Sequence, residues 1–462
     1  MFKKVLVANR GEIAVRIIRT LKEMGIQTVA IYSTADKNSL HVQVADEAVC
    51  VGGPKPADSY INMKNVISAA VLTGSEAIHP GYGFLSENDL FAEMVGEVGI
   101  KWIGPRPETI DLMGNKEHAR KEMREAGVPV IPGSLGYIHN VDEAREVANE
   151  IGYPVLLKAA AGGGGKGMRF IFKDEELEEN FTNAQAEAKL NYGDEHMYIE
   201  KVMLDCRHIE MQVIRDQKGN VVCLPERNCS LQRRNQKVME ESPAASVTPA
   251  MRADMIEVVT KAVNAIDYEN TGTIEFLQDQ EGNFYFMEMN TRIQVEHPVT
   301  EMVTGLDLVR LQVQVAAGEE LPLRQEDVQI NGHAVEMRLT AEKPEANFAP
   351  SAGKVDFVFL PTGGPGVRID SALYNGDMIQ PFYDSMIAKL IAHDDTREEA
   401  IAKLARIVDE TSVVGVSTSQ NFQLALLEDD GVLNDRFTTK YLEEHFLPGW
   451  EASQEKAAEV AE

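Results

Sequence analysis

Thr273-Ile274-Glu275-Phe276-Leu277-Gln278-Asp279-Gln280-Glu281-Gly282-Asn283-Phe284-Tyr285-Phe286-Met287-Glu288-Met289-Asn290 is the stretch on which the fold turns. Two runs rich in aromatic and apolar residues flank Asp279–Asn283, which is a β-hairpin signature. With the turn centred between Glu281 and Gly282, Glu275 lies opposite Glu288. Directly paired residues share one sheet face, with Cβ atoms about 5 Å apart. Two carboxylates that close repel unless a cation sits between them. Magnesium suits the place, since it takes one or two carboxylates and completes its shell with phosphate oxygens and water. Solvated acids on an exposed hairpin are the plainer alternative, and the surrounding aromatic and methionine residues argue against full solvation.

The pattern continues past the hairpin. Glu288, Asn290, Arg292, Gln294 and Glu296 recur at spacing two and lead into His297-Pro298. In extended chain they point the same way, each about 6.6 Å from the next. Acid, amide, cation, amide and acid on one ribbon suit metal ligands (Glu288, Asn290), an anion clamp (Arg292, Gln294) and a base (Glu296). A solvent-facing strand also alternates, but it has no need of this series.

Upstream, Tyr153–Lys158 and Met168–Ile171 read as strands around AAAGGGGKG, residues 159–167. A flexible linker has this composition too, yet linkers are seldom clasped by two apolar strands. A loop of glycines exposes backbone N–H groups that bind phosphate. Lys166 adds charge at its tip, and Lys158 sits at the end of the strand. The loop is not a Walker A motif, because Ala160 and Gly167 depart from that pattern. It reads as a lid over a nucleotide.

Composition sets further bounds. The 462 residues are 44% hydrophobic and carry 45 basic against 73 acidic side chains, a net charge of −28. The length implies two to four subdomains. The charge disfavours nucleic acid and anionic membranes, and it repels ATP as well, so a nucleotide enzyme must cluster its cations. Glu226–Lys237, with Arg227, Arg233, Arg234 and Lys237, is such an island. It reads either as a solvated loop or as a site that neutralises phosphate or an attacking anion. Cys229 beside it reads as a structural thiol, because no histidine lies near in sequence. His333–Leu339 alternates with Glu336 and Arg338 on its polar face. There Arg338 is either a stabiliser of a developing oxyanion or an ordinary salt-bridged arginine. Four cysteines without CxxC spacing and without an export signal point to free thiols in a reducing, cytoplasmic setting. No run of about 18 apolar residues occurs, so no membrane span is expected.

Along the chain, Lys4–Ala8 is a strand. Ile13, Ile17 and Leu21 then fall at helical spacing with Gly25 as a stop, and Thr28–Tyr32 is the next strand. Strand, helix, strand implies a parallel sheet, which continues to Trp102–Pro105. The GxGxxG dinucleotide fingerprint is absent after the first strand. Gly127–Gly133 reads as a Pro/Gly hinge, the region from 203 to 324 is rich in hairpin signals, and a helix is expected near Arg397–Glu410. The Ala/Glu/Lys-rich tail is expected to fray.

Together NRGEIA (Asn9–Ala14), HPGYGFLSEN (His79–Asn88), GGGGKGM (Gly162–Met168), RNCSLQRRNQK (Arg227–Lys237), EMNTRIQVEHPVTE (Glu288–Glu301) and HAVEMR (His333–Arg338) resemble biotin carboxylase, an ATP-grasp ligase. The resemblance runs from Met1 to about residue 447. It implies an α/β (α+β) ATP-grasp fold in three parts. These are an N-terminal parallel-sheet α/β domain (1–113), an ATP-grasp domain (114–324, mobile lid about 131–202) and a C-terminal α+β domain (325–447), before a disordered tail (448–462). It implies a reaction in which ATP phosphorylates bicarbonate to carboxyphosphate and the carboxyl group passes to biotin, with Mg2+ or Mn2+ as cofactor.

By the same resemblance, Lys116, Lys158, Gly164, Gly165, Glu200, Lys201, Met203, His208, Gln232 and Asn235 fall on ATP positions. Glu275, Glu288 and Asn290 fall on metal positions. Lys237, Arg292, Gln294 and Val295 fall on bicarbonate positions, Glu296 on the base, and Arg338 with Tyr82 on the biotin site. Asn235 and Asn228 stand where many members have His and Asp. The attachment pattern Ala-Met-Lys-Met is missing, so biotin is expected on a separate biotin carboxyl carrier protein. Carboxyltransferase subunits and a homodimer are also expected, as in acetyl-CoA carboxylase of fatty acid synthesis or in a propionyl-CoA or pyruvate enzyme. Another ATP-grasp ligase, such as a carbamoyl-phosphate-like synthetase, and a non-catalytic nucleotide sensor are the competing readings.

Overall fold

The computed structural model describes residues 1–134, 136–159, 168–192 and 195–461. It is the mixed α/β fold expected. The N-terminal unit is a five-stranded parallel sheet of β1 (Lys4–Val7), β2 (Gln27–Ser33), β3 (Glu47–Gly52), β4 (Ala77–His79) and β5 (Lys101–Trp102), in the order β3-β2-β1-β4-β5. The helix Gly11–Glu23 buries Ile13, Ile17, Ile18 and Leu21. It stops where Gly25 takes φ +74°, and the Ile26 N–H closes back on the Leu21 carbonyl at 2.9 Å. Glycine adopts that left-handed conformation without a Cβ penalty.

The segment expected as a lid holds a three-stranded antiparallel sheet, β6 (Val155–Ala159) between β7 (Met168–Ile171) and β8 (Met197–Lys201). Val155 and Leu157 join Phe181 and Ala184 of the helix Leu177–Tyr192 in one core. Strand alternation therefore puts Lys158 on the opposite face. The glycine-rich segment, with Gly164, Gly165 and Lys166, lies outside the described residues.

A nine-stranded sheet carries the rest. Its strands are β9 (Arg207–Arg215), β10 (Val221–Cys223), β11 (Arg227–Arg233), β12 (Gln236–Ser242), β13 (Asn270–Gln278), β14 (Phe284–Asn290), β15 (His333–Thr340), β16 (Val367–Ser371) and β17 (Met386–Asp394). They run in the order β14-β13-β9-β11-β12-β15-β17-β16, with β10 on β9. Val335, Met337 and Leu339 enter a core with Leu390, Leu404 and Phe422, so Glu336 and Arg338 face the other side. Arg397–Glu410 is a helix, as expected. Among the described residues no helix is long and apolar enough to cross a membrane.

Three expectations change. The hairpin turn centres on Glu281, as the pair Gln278 and Phe284 shows, and not between Glu281 and Gly282. A bulge then leaves Met287 without a partner, and this extra residue restores the pairing of Glu275 with Glu288. The ribbon does not stay extended: β14 ends at Asn290, and Glu296 caps the helix His297–Thr304. The terminal segment, expected to be disordered, forms the helix Leu447–Ala461. Its Trp450 packs edge-on against Phe422 with ring centroids 5.4 Å apart.

Candidate active site

Register builds the site. Arg227 pairs with Glu210, Glu210 with Glu275, and Glu275 with Glu288, so one row crosses β11, β9, β13 and β14. The row reads cation, acid, acid, acid. The fully buried Arg227 donates to Glu210 Oε1 at 2.5 Å and to Gln294 Oε1 at 2.6 Å. From β12, Lys237 Nζ reaches Glu210 Oε2 at 2.6 Å, Glu275 Oε1 at 3.2 Å, and Glu296 Oε1. Burial opposes the charge on Glu296, yet Lys237, Arg338 and Arg227 hold its carboxyl below the usual carboxylate range.

Glu210 was not singled out from sequence. The signal was present, because His208, Glu210 and Gln212 alternate with Ile209, Met211 and Val213, and the polar set faces the site.

The folded ribbon still converges. Glu275 Oε1 accepts from Gln294 Nε2 at 2.7 Å and from Asn290 Nδ2 at 2.9 Å. Arg292 donates to Asn290 Oδ1 at 2.9 Å and to Glu87 Oε2 at 2.9 Å. His208 Nε2 lies 3.1 Å from Glu275 Oε2, and Gln232 Nε2 sits 2.9 Å from His208 Nδ1 and 2.8 Å from the Cys229 carbonyl. This geometry makes Nδ1 the acceptor and leaves the proton on Nε2. Burial disfavours a second proton, while Glu275 and Glu210 pull the imidazole pKa up to about 9. Full protonation requires the Gln232 amide to turn its oxygen to Nδ1.

Cys229 is buried, and burial followed by the charge of Glu210 pushes its thiol up, as a structural role requires. All four cysteines are free.

The third acid of the row is the least neutralised. Glu288 is 40% exposed, and Lys116 is its ion-pair partner at 3.7 Å. Burial and then the charge of Glu275 raise its pKa. A carboxylate short of positive charge beside a second carboxylate is a donor set that fits a divalent cation. Among the described residues, Glu288 stands outside two groups whose ligand atoms lie within 4.8 Å of one another, His208/Glu210/Glu275 and Glu210/Cys229/Glu296. Lys237 already bridges acids in both.

The other expected residues divide. In the lid, Lys158 contacts Glu200, which also takes Arg120 at 3.0 Å. Lys201 donates to the carbonyls of Gly152 and Tyr153 at 2.8 and 3.0 Å. The Met203 carbonyl accepts from the Cys206 thiol at 3.7 Å. Asn235 is exposed at the two-residue β11–β12 turn, where Arg234 and Asn235 take φ +50° and +62°. These values belong to a type I′ hairpin.

Tyr82, Lys237, Arg292, Val295 and Arg338 line one cavity of about 550 Å³. There Arg338 donates to Glu240 Oε1 at 2.6 Å and Glu296 Oε2 at 3.0 Å, so Glu296 lies between two cations. Tyr82 bonds Glu12, and Lys389 donates to the Val295 carbonyl at 2.9 Å. Glu240, Glu12 and Lys389 were also missed. A lysine inside the apolar run Met386–Ala392 was the legible sign of a buried cation.

Known proteins match this arrangement along the chain. Residues 1–110 match the family described as biotin carboxylase, N-terminal domain, and residues 336–444 match the biotin carboxylase C-terminal domain. Residues 115–324 between them match the carbamoyl-phosphate synthase L chain, ATP binding domain. Biotin carboxylase 1 of Bacillus subtilis is 53% identical over 97% of this chain and 100% of its own length. Biotin carboxylase of Nostoc is 50% identical over 96% and 99%. The crystal structure of a Campylobacter jejuni biotin carboxylase–β,γ-ATP complex superposes with a TM-score of 0.90 at 46% identity, covering 96% of this chain and 99% of that one. The flanking domains exclude a carbamoyl-phosphate synthetase reading, and the chain belongs to the biotin carboxylase family of ATP-grasp ligases.

Proposed function

We propose that this chain carboxylates biotin on a separate carrier protein, using ATP and bicarbonate, as the biotin carboxylase subunit of an acetyl-CoA carboxylase in the cytoplasm. The observation that carries the reading is the buried Glu296 held between Lys237 and Arg338, two cations that line one cavity with Tyr82. A carboxylate flanked by two cations stays ionised and ready to take a proton.

In this reading Lys237, Arg292 and Gln294 orient bicarbonate, and Glu296 accepts its proton. The freed oxygen attacks the terminal phosphorus of ATP, ADP leaves, and carboxyphosphate forms. Its C–O bond then breaks to give carbon dioxide and phosphate. That phosphate takes the proton from the ureido nitrogen of biotin, the Arg338 guanidinium stabilises the negative charge this leaves on the ureido oxygen, and the nitrogen then bonds to carbon dioxide. Tyr82 flanks the biotin ring, and Lys158, Glu200 and His208 hold the nucleotide. Glu275, Glu288 and Asn290 hold magnesium, which when bound neutralises charge on the phosphates.

Arg338→Ala is expected to lower biotin-dependent ADP release by about 10²–10³-fold, the usual effect of removing one stabiliser of developing charge. Slow, biotin-independent, bicarbonate-dependent ATP hydrolysis is expected to persist. Loss of nucleotide binding in this variant contradicts the assignment.

Proteins named for other acceptors are nearly as similar. The 2-oxoglutarate carboxylase small subunit of Hydrogenobacter thermophilus and one of the pyruvate carboxylase subunits of Methanothermobacter thermautotrophicus are each 48% identical. The crystallised biotin carboxylase domain of the former is a dimer. A homodimer serving a carrier protein and carboxyltransferase subunits fits this chain equally. The transferase that co-purifies with it decides the acceptor.

A further inference from the structure

Behind Arg338 lies a set of buried acids that the reaction above does not use. β12 pairs with β15 so that Glu240 stands opposite Glu336, and β15 pairs with β17 so that Arg338 stands opposite Lys389. Residues two apart on a strand point the same way, so these four side chains share one face. Glu240, Glu336 and Lys389 are 0% exposed.

Arg338 uses one oxygen of Glu240, binding Oε1 through Nε at 2.6 Å and also through Nη2. The other oxygen, Oε2, is buried without a hydrogen-bond partner, and so are both oxygens of Glu336. Lys389 is committed elsewhere, to the Val295 carbonyl at 2.9 Å, Glu12 at 3.2 Å and Asp370 at 3.8 Å. The charged and titratable groups around Glu336 are Glu240 on β12, Arg338 on its own strand, Lys389 on β17, Glu296 at the head of the helix His297–Thr304, and Tyr82. Glu12 and Asp370 stand beyond Lys389.

Two ionised carboxylates directly opposed in a dry interior, with three oxygens unbonded, are costly. One proton removes one of the two charges and bridges two of the three oxygens. A neutral Glu336 has an O–H to donate, and Glu240 Oε2 is the orphaned acceptor on its cross-strand neighbour. Burial, and then the nearby charge of Glu240, push the Glu336 carboxyl well up against the pull of Lys389.

We propose that Glu336 and Glu240 act as one hydrogen-bonded acid–carboxylate pair that positions Arg338. The pair fixes the Glu240 carboxylate so that Oε1 meets Nε and Nη2 of Arg338 and holds the guanidinium against Glu296 at the cavity. Glu336 touches no reactant; it acts through Glu240 and Arg338. The functional part of this inference rests on the reading that Arg338 serves the biotin-dependent step.

The test compares Glu336→Gln, whose amide N–H still donates to Glu240, with Glu336→Leu, which cannot. At neutral pH the infrared carbonyl band of a protonated carboxylic acid is expected in the wild type and is expected to vanish in Glu336→Gln. Biotin-dependent ADP release in Glu336→Gln is expected within about threefold of wild type, and Glu336→Leu is expected to lose about tenfold or more in kcat, the effect of stranding a buried acceptor. Biotin-independent ATP hydrolysis and the KM for ATP are expected to hold in both variants.

The proposal is overturned if the band is absent, or if Glu336→Gln is as impaired as Glu336→Leu, which makes Glu336 an ionised partner of Lys389. It is also overturned if Glu336→Leu lowers both reactions alike. If Glu336→Leu does not fold, the band and the activity of Glu336→Gln decide alone. Absence of biotin-dependent turnover in the wild type overturns the functional reading instead, and the band still decides the pair.

Discussion

Replacing Lys237 with Met keeps most of the side-chain volume and removes the charge shared by Glu210, Glu275 and Glu296. Each acid keeps at least one other cationic or proton-bearing neighbour, among them Arg227 at 2.5 Å, His208 at 3.1 Å and Arg338 at 3.0 Å, respectively. The stability loss therefore falls at the low end for breaking a buried ion pair, about 3 kcal/mol. The sign with pH follows from Glu296. Its pKa is depressed in the fold, so its contribution is present above the unfolded value of about 4.3 and is lost as pH falls through the folded value. The deficit of Lys237→Met in denaturant titrations is thus expected to be largest near neutrality and to shrink in acid.

Activity is more sensitive still. Lys237 meets both Glu296, the proposed base, and the acid row, and in that reading losing one charged anion stabiliser costs about 10²–10³-fold in turnover. Coupled ADP release against bicarbonate concentration measures it. Without Lys237 the Glu296 pKa rises, so the acid limb of kcat/KM for bicarbonate is expected at higher pH. A variant within about threefold of wild type, worth less than about 1 kcal/mol, with an unmoved acid limb, refutes the placement of Lys237 beside the anion.

Two further outcomes follow from the same geometry. Glu288→Gln is expected to raise the magnesium concentration for half-maximal activity by about tenfold, equivalent to about 1.4 kcal/mol; an unchanged magnesium titration removes Glu288 from the metal site. Trp450→Ala is expected to cost about 3 kcal/mol of stability through loss of its packing on Phe422; an unchanged calorimetric transition means the terminal helix does not dock.

Much of this was legible because strand period is a strong signal. The facing of Glu275 and Glu288, the two faces of His333–Leu339 and the helix Arg397–Glu410 all follow from spacing. The bulge at Met287 was not legible, since one extra residue in a strand leaves no mark in composition. The sequence held a reason for the ribbon to turn helical at His297, though none for the strand to end as early as Asn290. Pro298 sits in the first turn of a helix, where its missing N–H costs nothing. The site survived because Gln294 and Glu296 fold back onto Lys237 and Glu275. Lys201 and Asn235 rest on resemblance alone, with no pattern of spacing behind them; in the fold Lys201 meets the carbonyls of Gly152 and Tyr153, and Asn235 is at an exposed turn.

The central claim is that one clustered site makes bicarbonate attack ATP and then releases the carboxyl group to biotin. Bicarbonate labelled with oxygen-18 tests it, with the phosphate from biotin-dependent turnover analysed by mass spectrometry. Attack on phosphorus followed by C–O cleavage leaves one bicarbonate oxygen on phosphate, so labelled phosphate is the expected product. Phosphate free of label, formed while biotin is carboxylated, contradicts the chemistry assigned to Lys237, Glu296 and Arg338.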